Sequence, residues 1–313
     1  MKSKPNYFQV SQGVWGMKIT FVNIYMIANR RGAGKGWVLV DAGLRGSAKR
    51  IIAMAESLFG PGTKPAAIVL THGHFDHVGA LQELLKYWDV PVYAHPLELP
   101  YLTGKSSYPP ADPSTGGGLM GLMSWAYPMK PIDLGNRVRP IDKYEGVPEL
   151  PEWKIIHTPG HTPGHISLFF PLNTTLIAGD AFTTTKTESA IYVLNFIKKL
   201  SGPPKYGTTD WHAAERSVRK LASLQPRIAG TGHGYVMRGK ELQTTLAYLA
   251  NHFKELAVPN HGRYVKRAAL ADEEGVKYVP SYTETANIKL KAAAVAFTAA
   301  VGVFFITKAI TRR

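Results

Sequence analysis

The 313-residue chain contains no cysteine. That excludes disulfides and thiolate metal ligands, and it fits a reducing compartment. Acidic residues are few: 22 Asp and Glu stand against 37 Lys and Arg, a formal charge of +15. A surface this basic attracts anionic substrates, nucleic acid or anionic lipid. No Lys/Arg-rich block interleaved with aromatics occurs, so nucleic acid is not an expected partner and a membrane surface is favoured. No secretory leader is evident either. The first apolar run, residues 21–28, is broken by Asn23 and followed by Arg30 and Arg31, so it reads as a strand. Hydrophobic residues make up 45% of the chain, enough for one large domain with a real core plus extras.

What is present is a dense run of metal-ligand types, Thr71-His72-Gly73-His74-Phe75-Asp76-His77. The apolar stretch Ala67-Ile68-Val69-Leu70 precedes it and an amphipathic stretch from Val78 to Trp88 follows. The cluster therefore falls on a loop between a buried strand and a helix start, a common place for site residues. At such a turn His72 and His74 can point to one centre, and Asp76 and His77, on the first helical turn, to another. Imidazole and carboxylate together suit zinc, and also iron or manganese. A polar loop with solvent-facing histidines is the plainer alternative. The tight spacing, with further ligand types downstream, argues against it.

His-x-His-x-Asp-His after an apolar strand resembles the metallo-β-lactamase superfamily. Later elements of that pattern follow in order: His161 in Thr158-Pro159-Gly160-His161-Thr162-Pro163-Gly164-His165, Asp180 in Ala178-Gly179-Asp180, and His233 in Gly232-His233-Gly234. Upstream, Val40-Asp41-Ala42-Gly43 resembles the family's supporting Asp motif. The resemblance runs from about residue 7 to about residue 257. It implies an α/β fold, a four-layer αββα sandwich that gathers strand-end loops. It also implies two zinc ions, with iron or manganese as substitutes. His72, His74 and His161 would hold the first and Asp76, His77 and His233 the second, with Asp180 between them and Asp41 orienting a ligand from behind. The gaps of 84 residues from His77 to His161, 19 to Asp180 and 53 to His233 need such a fold to close them.

Residues 1–257 read as the catalytic domain. Residues 1–45 form a β-meander, with a hairpin turn by composition at residues 31–36. Helices are expected at residues 47–59, 190–200, 209–224 and 240–256, and strands at residues 91–95, 153–157, 166–170, 175–178 and 227–230. Residues 96–150 break the pattern, with many Pro and Gly and an apolar run from Leu119 to Met129 holding Trp125, Tyr127 and three Met. That segment reads as a lid over the cleft, a membrane-facing patch, or packing against the domain's own edge. His95, His157 and His165 are not assigned as ligands. Residues 258–283 read as a linker or wrap. Residues 284–313 read as a hydrophobic helix, with sixteen charge-free residues from Ala292 to Thr307. Sixteen helical residues span only ~24 Å; residues 290–310, with both lysines snorkelling, span ~31 Å, long enough for a membrane anchor. The alternative is a helix docked on the protein. The catalytic region is expected in the cytoplasm, membrane-associated through this helix or soluble if it docks.

The resemblance implies a hydrolase in which dinuclear zinc activates a bridging hydroxide to attack an ester, lactone or thioester carbonyl, with Asp76 orienting it or taking a proton. The substrate is expected to be a small apolar or anionic molecule. Gly232-His233-Gly234-Tyr235 departs from the Gly-His-Glu-Tyr typical of glyoxalase II, so lactonase-like branches fit better. Two rivals stand: a mono-iron persulfide dioxygenase-like oxidoreductase, and a membrane-tethered, non-catalytic binding protein. Tyr127, Lys205 and Tyr206 are candidate substrate contacts.

Overall fold

The computed structural model describes residues 6–29, 36–141, 146–147, 149–195 and 197–282. The expected hairpin turn at residues 31–36 and hydrophobic helix at residues 284–313 lie outside them, save Gly36. Two sheets form the centre. The first holds β1 (Phe8–Ser11), β2 (Val14–Ile19), β3 (Val22–Ala28), β4 (Trp37–Val40), β5 (Ala67–Val69), β6 (Val92–Ala94) and β7 (Val138–Pro140), in that order. β1 to β4 are antiparallel neighbours and β4 to β7 parallel ones. The second sheet has the order β12-β11-β10-β9-β8, built from β8 (Lys154–His157), β9 (Ile166–Phe170), β10 (Thr175–Ile177), β11 (Ile228–Gly230) and β12 (Met237–Arg238). β10 and β11 are its parallel pair.

Period-two alternation sorts the side chains into three apolar layers. In β4, Val38 and Val40 face the second sheet, where they meet Tyr25, Val69, Ile166, Leu168, Phe170 and Ile177. Trp37 and Leu39 face outward with Ile24, Met26 and Ile68. There they are covered by α1 (Ala48–Phe59), through Ile51, Met54 and Ala55, and by α3 (Leu81–Tyr87), through Leu81, Leu84 and Leu85. Between those helices lies the single turn α2 (Phe75–Val78). The remaining helices are α4 (Leu99–Leu102), α5 (Leu119–Leu122), α6 (Ala190–Leu194), α7 (Trp211–Ser223), α8 (Gly239–Asn251) and α9 (Phe253–Leu256). On the outer face of the second sheet, Phe169, Leu176 and Ala229 pack on Trp211, Ala214, Val218 and Leu221 of α7 and on Leu242, Leu246 and Leu249 of α8. The spacing of those residues gives each helix one apolar stripe, and Asp210 caps α7 by accepting from the Ala213 N–H at 2.9 Å. Helix, sheet, sheet, helix is the expected αββα sandwich.

Some details differ from the sequence reading. The helix expected over residues 190–200 ends at Leu194, because the chain turns to pair Lys199 and Ser201 with Thr184 and Thr183. The described part of residues 258–283 lies against the domain: Tyr264 is buried and donates to the Pro110 carbonyl at 2.6 Å, and β13 (Leu270–Asp272) and β14 (Gly275–Tyr278) form a hairpin. No helix among the described residues is long and apolar enough to cross a membrane.

All the loops that carry ligand types leave the sandwich at one edge. The C-terminal ends of β4, β5, β10 and β11 and the β8–β9 connection meet there, tied across the sheets. Asn23 donates its main-chain N–H to the Gly232 carbonyl at 2.7 Å, Tyr25 its hydroxyl to the Thr231 carbonyl at 2.7 Å, and Ile166 its N–H to the Thr71 carbonyl at 2.9 Å. Leu39 sits with no exposed surface in the outer layer. Leu39→Ala is expected to cost about 2–5 kcal/mol. Urea unfolding should show a lower midpoint at unchanged slope; an unmoved midpoint would contradict this layer assignment.

Candidate metal centre

β5 ends one residue before the ligand-rich loop, and Asp41 lies one residue past β4, its parallel neighbour. Asp41 takes a left-handed backbone, φ 62°, which Asp tolerates better than most residues. From there its carboxylate reaches under the loop. Oδ1 accepts from the Thr71 N–H at 2.8 Å, and Oδ2 from the Thr71 hydroxyl and from His77 Nδ1–H, each at 2.8 Å.

The same device recurs for other histidines. Thr71 has given its hydroxyl proton to Asp41, so it accepts from His72 Nδ1–H at 3.1 Å. Thr208 donates to the Pro204 carbonyl, so it accepts from His161 Nδ1–H at 3.3 Å. His233 Nδ1–H donates to the Phe21 carbonyl at 2.9 Å. In each of these four rings an outer partner fixes the tautomer and leaves Nε2 facing inward. His74, at the start of α2, turns its Nδ1 to within 3.0 Å of His161 Nε2.

Seven side chains thus converge, all of them buried. Three groups have ligand atoms within 4.8 Å of one another: His72, His74 and His161; His72, His77 and Asp180; and Asp76, His77 and His233. Asp180 lies between the outer two groups, its oxygens 3.6 Å from His161 Nε2, 3.7 Å from His77 Nε2 and 3.1 Å from His233 Nε2. Asp76 Oδ2 is 3.5 Å from His233 Nε2 and 3.9 Å from His77 Nε2. Gly232 is required beside them, since a Cβ there would stand 2.0 Å from Asp180 Oδ1. The atoms His72 Nε2, His77 Nε2 and Asp180 Oδ1 are buried with no hydrogen-bond partner. Buried polar atoms are nearly always satisfied, so three orphans facing one point fit a divalent cation.

The charge states also fit. Burial, reinforced by the neighbouring histidines, holds His72 and His161 well below the usual imidazole range and His74 at about 3, so all three are neutral, as ligands must be. Burial opposes a charge on His77 too, but Asp41, Asp180 and Asp76 outweigh it and raise the pKa well above its ordinary value. His233 is likewise raised, by Asp180 and Asp76 against burial. Asp180 is driven low despite burial by His233 and His77, while burial raises Asp76.

His165 stands behind the cluster. Its Nε2 accepts from the Asp180 N–H at 2.8 Å and its Nδ1–H meets Thr158 Oγ1 at 2.8 Å. His95 and His157 stack on each other at 4.1 Å, away from the seven. Sequence reasoning missed Glu98. It is fully buried, and Oε1 accepts from the Thr162 hydroxyl at 2.7 Å and the Gly164 N–H at 2.9 Å. Oε2 accepts from the Gly73 N–H at 3.0 Å and from the Tyr108 hydroxyl. Burial pushes this carboxyl up to about 7 in spite of those four bonds. One side chain thereby pins the loop of His72 and His74 to the loop of His161. A Glu inside the apolar run Leu97-Glu98-Leu99-Pro100 was the available signal.

The cleft over the cluster is walled by Phe21, Phe75, Met120, Tyr127, Met129 and Tyr206. Tyr127 contacts Phe75 at 5.5 Å and Tyr206 at 5.3 Å between ring centres, and with Met120 and Met129 it is the part of the 96–150 segment that lines this cleft. Lys205 lines a neighbouring cavity instead.

A four-layer sandwich with a buried His/Asp cluster at one edge defines a metallo-hydrolase type of protein. The chain belongs to the metallo-beta-lactamase superfamily, whose family model matches residues 18–233. It is 44% identical over 249 residues to a Bacillus subtilis protein named probable metallo-hydrolase YflN, covering 80% of this chain and 94% of that one. It is 32% identical over 235 residues to the uncharacterized protein YobT of the same species, covering 72% and 91%. Among solved structures, a beta-lactamase domain protein from Burkholderia ambifaria has the same fold, with a TM-score of 0.55 at 17% identity over 81% of this chain and 78% of that one.

Asp41→Asn is expected to replace the carboxylate under His77 with an amide that turns an NH2 toward one of the three donors from Thr71 and His77 and so cannot accept from all of them. Metal affinity should fall about 10–100-fold. Competition against a chromogenic chelator measures it; unchanged affinity would remove Asp41 from the support of the centre.

Proposed function

We propose that the chain is a dinuclear zinc hydrolase of carboxylic esters, lactones or thioesters. The reading is carried by the orphaned inward atoms His72 Nε2, His77 Nε2 and Asp180 Oδ1 within a seven-residue cluster whose ligand atoms fall into three overlapping groups. His72, His74 and His161 would hold one ion and Asp76, His77 and His233 the other, with Asp180 placed between the two groups. An all-N,O donor set without thiolate suits zinc, with iron or manganese as substitutes. Bound divalent ions lower the pKa of water to about 7 and carry the charge that develops on a carbonyl oxygen.

The protein's own part is orientation and exclusion. Asp41, Thr71, Thr208 and the Phe21 carbonyl lock the imidazoles. Asp76, whose pKa burial raises, orients water or takes its proton. The apolar walls of the cleft select an apolar acyl group and exclude bulk water. A tether to membrane through residues 284–313 completes the reading.

The test is metal content by elemental mass spectrometry on the purified full chain, followed by an ester, lactone and thioester screen. Two zincs and turnover in the screen are expected; a single iron would overturn the hydrolase in favour of oxidation. Asp76→Asn should lower kcat by about 10²–10⁴-fold. Full turnover by that variant with its metal retained would remove Asp76 from proton transfer.

Zinc uptake should also release protons. His77 and His233 hold theirs above the ordinary pKa of 6.5, so near pH 7 incoming zinc displaces them. Affinity then rises with pH until both raised pKa values are passed. Their pairing with carboxylates stabilises the metal-free fold below pH 6.5 and ceases to do so as pH climbs through the folded values. Calorimetric titration at pH 7 in buffers of different ionisation enthalpy reads the release; heats independent of buffer would contradict it.

A further inference from the structure

We infer that the lid and α6 together form a surface that seats on an anionic lipid bilayer, with the mouth of the metal cleft turned toward the lipid. Exposed large apolar side chains gather on two short stretches. Leu119, Met123 and Trp125 lie on and just after α5, and Ile191, Leu194 and Ile197 on and just after α6. Trp125 is 68% exposed and Leu194 70%. Single exposed apolar residues are ordinary, but six on two adjoining elements are not. The elements are joined directly: the Met120 and Gly121 N–H groups both donate to the Glu188 carbonyl, at 3.0 and 3.3 Å, just ahead of α6.

Charge names the occupant. Neither residues 119–130 nor residues 190–200 contain an acidic residue; the first stretch ends in Lys130 and the second carries Lys198 and Lys199 near its end. Beside α6 lies a cavity of about 460 Å³ lined by Lys186, Lys198, Lys199 and Lys205. Its two carboxylates are engaged, Glu241 in an ion pair with Lys198 Nζ at 2.6 Å and Glu188 by the Lys205 main-chain N–H and the Thr187 hydroxyl, so Lys186, Lys199 and Lys205 supply the basic rim. Apolar side chains rimmed by lysines match acyl chains beneath anionic headgroups.

The exit of the chain agrees. Tyr282, the last described residue, stacks under the Arg263 guanidinium at 3.7 Å. The Arg263 N–H donates to Asp112 Oδ2 at 2.5 Å, and Asp112 caps the turn Pro113–Thr115 that leads into α5. The charge-free residues 292–307 therefore follow from a point beside the lid. Met120, Tyr127 and Met129 belong both to the lid and to the cleft wall. If the hydrolase reading holds, on which this consequence rests, the substrate is an acylated amphiphile drawn from the bilayer.

The experiment uses the full chain with vesicles of phosphatidylglycerol and phosphatidylcholine whose acyl chains carry bromine, a contact quencher of indole. Quenching of Trp125 is expected, lost in Trp125→Phe, and weakened at least tenfold in lipid concentration by Ile191→Glu with Leu194→Glu. Rising salt and neutral vesicles should weaken it too. Thermal midpoints confirm that the variants fold. Sedimentation with vesicles but no Trp125 quenching would mean the tail alone engages lipid, and would overturn the proposal. So would Trp125 shielded from acrylamide before lipid is added, whether by the tail or by a second copy, and so would no binding at all. Zinc content and hydrolysis of a water-soluble ester, measured on the same preparation without vesicles, report the hydrolase reading separately.

Discussion

The centre depends on one buried carboxylate. Asp41 makes three hydrogen bonds, and each fixes something different: the Thr71 N–H sets the exit of the loop from β5, the Thr71 hydroxyl sets the tautomer of His72, and His77 Nδ1–H sets the direction of α2. These bonds hold only because β4 and β5 are parallel neighbours in register, Val40 opposite Val69, so that both strands end at the same height. The left-handed backbone at Asp41 then turns its side chain under the next strand's loop. Apolar layering fixes the register, the register places Asp41, and Asp41 aligns two imidazoles.

A second clamp works across the sheets. Glu98 follows β6 in the first sheet, yet two of its four donors belong to the loop between β8 and β9 of the second. Four donors around one carboxylate leave it no unsatisfied lone pair at the hydrogen-bond level, which is how a buried acid is tolerated. The centre is therefore held from two directions, by Asp41 beneath the first loop and by Glu98 between the loops. His165 adds the tie from that second loop to the Asp180 N–H.

How much of this was legible follows from the range of each signal. The strands between packed layers read as apolar runs because they are buried on both faces, as Trp37–Val40 is. His72, His74, Asp76 and His77 announce themselves by spacing alone. His161, Asp180 and His233 were placed only through family resemblance, since nothing local in the sequence brings residues 161, 180 and 233 to one edge. Glu98 and Tyr108 escaped because they lie in a segment of short helical turns with no sustained period. Apart from the bond between the two, their roles are set by donors 25 to 66 residues away in the chain. The early end of α6 was also hidden. Residues 190–200 have helical composition, but main-chain bonds from Lys199 and Ser201 to Thr184 and Thr183 draw the chain away, a tertiary override of local propensity.

The lid joins the two ends of the argument. Its inner side supplies Met120, Tyr127 and Met129 to the cleft, where Tyr127 packs on Phe75, the residue between ligand candidates His74 and Asp76. Its outer side carries Leu119, Met123 and Trp125. Along α5 and the turn after it, one segment therefore presents Met120, Tyr127 and Met129 to the cleft and Leu119, Met123 and Trp125 to the outside. A movement that buried the outer residues in another phase would shift the inner ones against Phe75 and Tyr206. Cleft wall and exposed apolar face thus meet in one short segment.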